Sequence, residues 1–263
     1  IENYPRPFHP TAIGDLNRNL RTTKPGRVEY RGGFEFGMHN AGHIPGAVMF
    51  DFPQQEFIFT GDIHTVDTQL TRAVKPKPCK TLAIESTYGG REHPPRREVE
   101  SELVDSIEDV VNSGGKVVLP SFGLGRSQEL LMLVRDLGFE VWLDGMGRDI
   151  ARILQKHPGS IRDFKAMNRA FRSTNFVRHS RQRSAALNGD VIVTTSGMLN
   201  GGPVLHYLSK LRNDASSAVF LTGYQVPGTN GHLLKETGKL RLERDPNSPS
   251  FDLHCKSRSF DLS

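Results

Sequence analysis

The chain has 263 residues, of which 36% are hydrophobic and 24% are charged, values typical of a globular protein with its own core and not of a disordered one. No apolar run approaches the roughly 20 residues that cross a bilayer, and no signal-peptide pattern opens the chain. We therefore expect no membrane partner, and the formal net charge of +5 favours an anionic partner. Two cysteines give no disulfide framework, so we expect a reducing, cytoplasmic setting.

The amino-terminal third has the apolar runs and turn signals of short strands. A tight turn at residues 53–55 joins two of them, and a Pro-rich linker at residues 75–78 leads into the last one. These short, hairpin-like connections predict an antiparallel sheet. The predicted strands are residues 33–39, 47–52, 57–60 and 81–85.

From Arg97 onward the hydrophobic period changes to that of a helix. Val99, Leu103, Ile107 and Val110 recur three or four positions apart, and a Ser-Gly-Gly sequence at residues 113–115 ends the run. Strands and helices then alternate, which predicts a mostly parallel sheet with helices on both faces. The predicted strands are residues 116–120, 140–143, 190–195 and 218–223, and the predicted helices are residues 126–137 and 203–211.

Three residues with metal-binding or acid–base chemistry follow predicted strands. His43 lies in the loop Gly42-His43-Ile44-Pro45-Gly46, Asp62 follows Gly61, and Glu85 ends an apolar strand. A neutral imidazole and a carboxylate are both zinc ligands. Each residue also has an ordinary interpretation, as a loop histidine or a turn-capping carboxylate, and their succession at strand ends favours a site.

Three glycine-containing turns follow strands of the predicted parallel sheet. A turn of this kind that leads into a helix can bind phosphate, because the helix amino terminus presents free N–H groups and the positive end of the helix dipole. The turn at residues 121–128 lacks the third glycine of a dinucleotide-binding fingerprint. All three are equally interpretable as tight turns alone. The candidate phosphate- or RNA-binding residues in them are Ser121, Arg126, Ser127, Ser196, Gly197 and Thr229.

Residues 162–183 carry seven Lys and Arg side chains against the single acid Asp163. Three phenylalanines interleave with these cations, so the segment offers charge and stacking faces for a nucleic acid. Arg172 and Arg178 are the candidate RNA contacts. The alternative is a solvated basic surface whose phenylalanines point into the core.

Read in order, the motifs resemble those of the β-CASP group of the metallo-β-lactamase superfamily. They are most similar to the cleavage and polyadenylation specificity factor endonuclease, its archaeal relatives and ribonuclease J. The match extends over residues 31–263. The motifs are Ala41-Gly42-His43-Ile44-Pro45-Gly46-Ala47, Thr60-Gly61-Asp62, Ile84-Glu85-Ser86-Thr87-Tyr88-Gly89, Ser121-Phe122-Gly123-Leu124-Gly125-Arg126-Ser127-Gln128-Glu129, Ser196-Gly197-Met198 and Gly223-Tyr224-Gln225-Val226-Pro227-Gly228-Thr229.

The resemblance implies an α/β protein: part of a β-sheet domain of metallo-β-lactamase type (residues 1–88), then a β-CASP domain with a mostly parallel sheet flanked by helices (residues 89–255). Residues 256–263 would begin the return strand into the first domain. In that family two zinc ions lie between two sheets, and the β-CASP domain helps to hold RNA. By motif, His43 would ligate one zinc and Asp62 would bridge both. Glu85 would be a catalytic acidic group that orients a downstream histidine.

Further ligands of that family are absent from the printed chain. We expect its His-x-His-x-Asp-His motif upstream of Ile1 and its remaining histidines just after Ser263, so that the lactamase-type domain is truncated at both ends. None of the ten histidines forms such a cluster. His43 and Asp62 alone would hold zinc poorly, because zinc sites normally use at least three protein ligands.

We therefore predict a zinc-dependent ribonuclease that hydrolyses RNA phosphodiester bonds, in mRNA 3′-end processing or RNA decay. Whether it cuts internally or from an end stays open. RNA is the expected partner, and a homodimer or an RNA-processing complex is a further expectation. One alternative is a non-catalytic RNA-binding or scaffold homologue that has lost the metal site. Another is a lactamase-fold hydrolase of small molecules. The basic β-CASP domain argues against the second, because such an enzyme needs no nucleic-acid channel.

Overall fold

The structure, a computed structural model, describes residues 7–26, 28–241 and 248–262. Within these residues the chain forms a five-stranded sheet, a six-stranded sheet and a two-stranded ribbon. The strands are β1 (Val28–Arg31), β2 (Phe34–Asn40), β3 (Val48–Phe52), β4 (Phe57–Phe59), β5 (Thr81–Ala83), β6 (Val117–Pro120), β7 (Val141–Asp144), β8 (Thr174–Phe176), β9 (Val191–Thr194), β10 (Ala218–Leu221), β11 (Lys239–Arg241), β12 (Ser250–Asp252) and β13 (Lys256–Ser259). The helices are α1 (Thr11–Asn19), α2 (Arg96–Asn112), α3 (Arg126–Val134), α4 (Gly147–Leu154), α5 (Phe164–Ser173), α6 (Arg183–Ala186), α7 (Val204–Leu211) and α8 (Asn230–Thr237).

The five-stranded sheet runs in the order β1-β2-β3-β4-β5. Its first four strands are antiparallel, as the sequence predicts, whereas β5 is parallel to β4. The difference arises because residues 60–80 form a long crossover that returns the chain in the same direction, which a short hairpin cannot do. Ala41, Met49 and Ile58 form the small buried cluster beside this sheet.

The six-stranded sheet has the order β13-β10-β6-β9-β7-β8, and every neighbouring pair in it is parallel. Alternate residues of a strand enter different cores. Val117 and Leu119 join the core that α2, α3 and α5 complete, while Val118 joins the core of α7 and α8. All four residues of β6 are buried because helices cover both faces.

Helix α2 illustrates how sequence sets the element. Val99, Leu103, Ile107 and Val110 are all buried, so the helical period of the sequence matches the face that packs on the sheet. The helix ends before Gly114, whose φ of +82° is readily accessible to glycine. The predicted α/β fold with a parallel sheet between helices is confirmed.

Several elements depart from the sequence-based expectation. Helix α3 ends at Val134 and not at residue 137, and the basic segment contains α5 and β8, which the pattern did not predict. Strand β13 pairs with β10 at the edge of the six-stranded sheet. The division into domains at residues 88/89 and 255/256 stays a prediction. No helix among the described residues combines the length and apolarity needed to cross a bilayer.

Candidate active site

His43 and Asp62 lie beyond the ends of β2 and β4, and the sheet brings them together. Their Nε2 and Oδ2 atoms are 3.9 Å apart, and both side chains are substantially exposed. Gly42 makes this approach possible, since its φ is +79° and a Cβ there would lie 2.4 Å from the carbonyl oxygen of His64. The sequence-based pairing of an imidazole with a carboxylate is therefore present in the structure.

Glu85 supports the loop that carries Asp62. Its Oε1 accepts a hydrogen bond from the Ile63 N–H at 3.4 Å, and its Oε2 accepts one from the Thr87 N–H at 2.9 Å. Burial raises the pKa of Glu85, but these hydrogen bonds, together with the charge of nearby His43, outweigh burial and bring the pKa below its ordinary value. The structure thus adds a role that the sequence did not indicate: an ionised Glu85 fixes the geometry of residues 61–63.

These residues do not make a complete metal site by themselves. Imidazole and carboxylate are suitable zinc ligands, yet a protein zinc site normally has at least three of them. In the parts of the chain that the structure describes, no group of three or more His, Cys, Asp and Glu side chains is arranged to hold a metal ion. His43 and Asp62 therefore fit a part of a metal centre.

The loop of His43 faces the carboxyl-terminal rim of the six-stranded sheet. The Ile44 Cγ2 atom is 2.9 Å from the position that a Cβ would take on Gly125, in the loop after β6. The rings of Tyr88 and Tyr224 meet edge-on with centroids 6.0 Å apart, which joins the turn after β5 to the loop after β10. The two sheets therefore meet at the candidate site.

Three loops converge along this rim. Gln225 Nε2 donates to the carbonyl oxygens of Gly197 and Gly223, each at 3.0 Å, so the loops after β9 and β10 are tied together. Phe122, in the loop after β6, lies against both glycines: a Cβ on Gly197 would be 3.4 Å from its ring and one on Gly223 would be 3.2 Å away. The shared position of the three turns predicted from the sequence is thus present.

The predicted phosphate-binding side chains in these turns are mostly engaged within the fold. The Ser121 and Ser127 hydroxyls are buried and lie 2.8 Å from each other. Ser196 donates to the carbonyl oxygen of Gly201 at 3.1 Å, and Thr229 caps α8 and donates to Val226. Gly197 is buried under Phe122. These side chains are engaged in hydrogen bonds or contacts that hold the loops. They are therefore not the groups on this rim that are available to bind a phosphate.

Arg126, another predicted phosphate ligand, belongs to a buried ion-pair network. Its Nη1 lies 2.8 Å from Glu129 Oε2, and Arg96 Nη2 lies 2.6 Å from Glu129 Oε1. Both arginines donate to the carbonyl oxygen of Leu262, and the Gln69 N–H donates to Glu129. The network therefore links the residue 67–71 loop, α2, α3 and the segment before Ser263.

Electrostatics keeps this network ionised. Burial raises the pKa of Glu129, but the charges of Arg126 and Arg96 lower it more strongly, so its pKa lies below the usual range. Burial lowers the pKa of Arg126, and Glu129 opposes that effect. Neither arginine is presented to solvent as a free cation.

The phenylalanines of the basic segment are core residues. Phe171 is buried, and Phe164 and Phe176 pack against the same core cluster. Of the two interpretations of this segment, the structure agrees with the one in which the phenylalanines point into the core: Phe164 and Phe171 lie on the inward face of α5, and Phe176 lies in β8. Arg172 is exposed on α5, and Arg178 is exposed in the loop after β8, so the two candidates lie on different elements.

Comparisons with known proteins agree with this fold. Residues 127–234 match the model of the Beta-Casp domain. The chain is similar to the probable RNase MJ4 of Methanocaldococcus jannaschii, with 30% identity over 266 residues that cover 96% of this chain and 62% of that protein. It is 37% identical over 211 residues to RNase aCSPSF2 of Saccharolobus solfataricus, covering 77% of this chain and 43% of that protein.

A further relative is the transcription termination factor FttA of Methanocaldococcus jannaschii, with 35% identity over 231 residues that cover 77% of this chain and 36% of that protein. The chain thus spans less than two thirds of the length of each of these relatives. The similarity nevertheless includes the loops of His43 and Asp62 as well as the six-stranded sheet, since the first alignment covers nearly the whole chain. Residues 127–234 thus carry a Beta-Casp domain, and the chain is similar over nearly its whole length to an archaeal protein named a probable RNase.

Proposed function

We propose that this protein is a metal-dependent ribonuclease that hydrolyses RNA phosphodiester bonds. The observation that carries the proposal is the pair His43 Nε2 and Asp62 Oδ2, 3.9 Å apart at the junction of the two sheets. Two of the relatives have names that describe RNases, and a third is named a transcription termination factor. The resemblance to the β-CASP group implies dependence on a metal ion.

The identity of the metal, the number of ions, the cellular process and the assembly are proposed from the chemistry of the ligands and from the family resemblance. Zinc suits an imidazole–carboxylate donor set, and two ions are the number that the family pattern implies. We extend the proposal to RNA processing or decay, with either internal or terminal cleavage, in the cytoplasm. A homodimer or an RNA-processing complex is the assembly that we propose. We also keep the division into residues 1–88, 89–255 and 256–263.

The described residues have two separate roles toward an anionic substrate: one group positions Asp62, and the loops of the rim provide a preformed surface. Glu85 holds the residue 61–63 loop in place, and Asp62 is thereby fixed relative to His43. The loops after β6, β9 and β10 supply a rim whose geometry is set by internal hydrogen bonds before any substrate arrives. A preformed rim reduces the ordering that binding would otherwise require.

The test measures metal content and cleavage of a labelled single-stranded RNA on one purified sample. Removal of metal with a chelator and the substitution Asp62→Ala are both expected to abolish cleavage, and Asp62→Ala is expected to reduce bound metal. Asp67→Ala is the matched control, since it removes an exposed carboxylate that pairs with Arg162, just before α5, and accepts a hydrogen bond from the Ala73 N–H. Cleavage that survives Asp62→Ala would overturn the proposal.

A second candidate function is a non-catalytic RNA-binding or scaffold protein. It rests on the exposed cations Arg172 and Arg178, whose charge favours RNA binding whether or not a metal ion is bound. This candidate predicts salt-sensitive RNA binding without bound metal and without cleavage. The same sample therefore separates the two functions.

A further inference from the structure

A cavity of about 220 Å³ lies beyond the carboxyl ends of β7 and β8, away from His43 and Asp62. The side chains that characterise it are Asp144, Arg148, Arg178 and Arg183. In open parallel sheets, ligands bind in crevices outside the carboxyl ends of the strands. The cavity is thus in the part of the fold where a ligand is expected, and no predicted site residue except Arg178 pointed to it.

One wall of the cavity is built on a buried carboxylate. Asp144 is 4% exposed, and its Oδ2 accepts hydrogen bonds from Arg183 Nε at 2.7 Å and from the Tyr207 hydroxyl at 2.9 Å. Tyr207 is completely buried, so this arrangement cannot swing into solvent. The bond to Asp144 uses one of the five N–H donors of the Arg183 guanidinium and orients the group.

Arg148 fixes the opposite wall. Its Nη1 donates to the carbonyl oxygens of Val177 at 3.1 Å and Arg178 at 3.3 Å, which holds the loop after β8. Its Nε and Nη2 atoms donate to the two oxygens of Asp149 at 3.1 Å and 3.2 Å. Asp149 is further paired with Arg152. The loop that presents Arg178 is therefore braced from inside the protein.

Arg178 is the unpaired cation of the cavity. Its main-chain N–H is bonded to Gln182, while its guanidinium forms no hydrogen bond or ion pair with the described part of the chain. Three arginines line the cavity against two aspartates, and both aspartates already have arginine partners. One positive charge is left over, which matches the single negative charge of a phosphodiester.

The volume of the cavity limits the kind of ligand that it can hold. Small-molecule pockets usually enclose roughly 300–1,000 Å³, so a cavity of about 220 Å³ is small for a free cofactor. Arginine binds phosphate through paired N–H groups, and Val177 and Pro203 give the cavity an apolar wall. We propose that this cavity binds a backbone phosphate of the RNA strand, through Arg178 and Arg183, as a subsite remote from the position of cleavage.

The proposal rests on the proposed function, and contacts along the rim connect the two places. Met146 follows the cavity residue Gly145 and lies 3.2 Å from the position of a Cβ on Gly123, in the loop after β6. The far side of that loop meets Ile44, next to His43. Met146 is 66% exposed, and neighbouring Phe122 is 39% exposed. A strand held at Arg178 would thus pass over exposed apolar side chains on its way to His43, as single-stranded RNA does on stacking surfaces.

The test is equilibrium binding of a labelled oligouridylate at several salt concentrations, with chelator present so that cleavage cannot interfere. Arg178→Ala is expected to weaken binding about tenfold, the loss typical of a charge-assisted contact. The slope of log affinity against log salt should fall by about 0.7, the value for one phosphate contact on a single strand. Arg178→Lys should keep the slope but bind less tightly, because lysine lacks the paired geometry.

Arg169→Ala is the matched control, since Arg169 is an exposed cation of the same basic segment outside the cavity. It should leave the slope unchanged, and equal effects of the two alanine variants would overturn the proposal. Competition by inorganic phosphate identifies the source of the ligand: phosphate binding lost in Arg178→Ala, with RNA affinity unchanged, would assign the cavity to a free anion and overturn the RNA subsite. An Arg178-dependent slope in a protein that cleaves no RNA would support the subsite and reject the ribonuclease.

Discussion

The two large sheets differ in how completely their faces are covered. In the six-stranded sheet, helices cover both faces, and the residues of β6, β9 and β10 are all buried. In the five-stranded sheet, Phe34 is 53% exposed and Phe59 is 50% exposed, on a face where Phe36, Phe50 and Phe52 make ring contacts. The six-stranded sheet has its core within the described residues, whereas the five-stranded sheet has only a small one.

The geometry of the candidate site therefore depends on the less covered sheet. His43, Asp62 and Glu85 all follow strands of the five-stranded sheet, while the loops that face them follow strands of the six-stranded one. The Glu129 network ties the residue 67–71 loop to α2 and α3 and so connects the two parts. Substitutions in each part measure how strongly that part depends on the connection.

The largest effect is expected from Glu129→Gln. Removing the charge leaves Arg126 buried without its carboxylate and leaves Arg96 with Glu100 alone, and breaking a buried pair costs about 3–5 kcal/mol. Urea unfolding followed by circular dichroism measures this loss. The control is Glu56→Gln, which breaks an exposed pair with Lys80 at 3.7 Å and should cost less than about 1 kcal/mol. Equal losses would show that the network does not link the sheets.

Acidification should remove the stabilisation that the ion pairs of Glu129 provide. The pKa of Glu129 is lower in the folded protein than its ordinary value, so its stabilising effect is complete above the ordinary glutamate pKa of about 4.3. The effect is then lost as the pH falls toward the folded-state pKa. The free energy of unfolding of the wild type should therefore approach that of Glu129→Gln over the range of pH below about 4.3. A constant difference between the two proteins over that range would contradict the assigned ion pairs.

Leucine truncation compares the two sheets with one chemistry. Leu119 is completely buried in β6, and Leu119→Ala should cost about 2–5 kcal/mol. Leu82 in β5 is 51% exposed, and Leu82→Ala should cost about 0.5 kcal/mol or less. Urea unfolding of both variants gives the two values. A large loss at Leu82 would mean that β5, where Leu82 lies beside Ile58, is covered in solution.

Amide hydrogen exchange should separate the sheets without any substitution. Amides of β6, between β9 and β10, are expected to exchange only on global unfolding. Amides of β2 and β3 should exchange at least about tenfold faster, which corresponds to ~1.4 kcal/mol of opening free energy. Mass spectrometry of peptic fragments measures both rates. Similar protection in both sheets would show that they unfold as one unit.

The smallest effect concerns the two free thiols, which again lie beside different sheets. Cys79, before β5, is exposed, whereas Cys255, before β13, is buried and its pKa is raised by burial to about 12. A thiol reagent should label Cys79 in the folded protein and Cys255 only after urea is added, because the thiolate is the reactive form. Mass spectrometry locates the label, with Cys79→Ser as the control. Labelling of both thiols at one rate would place Cys255 in a segment that opens locally.

Much of the fold follows from sequence pattern alone. The period of α2 and the apolar runs of β6 and β9 determine their faces, because a buried helix face and a strand covered on both sides each require a particular spacing of side chains. The same holds for the position of His43 and Asp62 after strands of one sheet. Strand β8 has no strong period and is not predictable from the pattern, and the strand expected at residues 256–263 is present as β13, but its pairing with β10 is set by neighbouring strands and not by local preference.

Only the tertiary structure decided which polar groups are available to a ligand. Ser121 and Ser127 share a sequence motif, but it is their mutual burial that removes them from the rim. The link from Arg183 through Asp144 to Tyr207 joins residues up to 63 positions apart. Sequence supplied the residue types and the order of strand ends, and long-range packing set the partners, because a hydrogen bond depends on distances between atoms that the chain order does not contain.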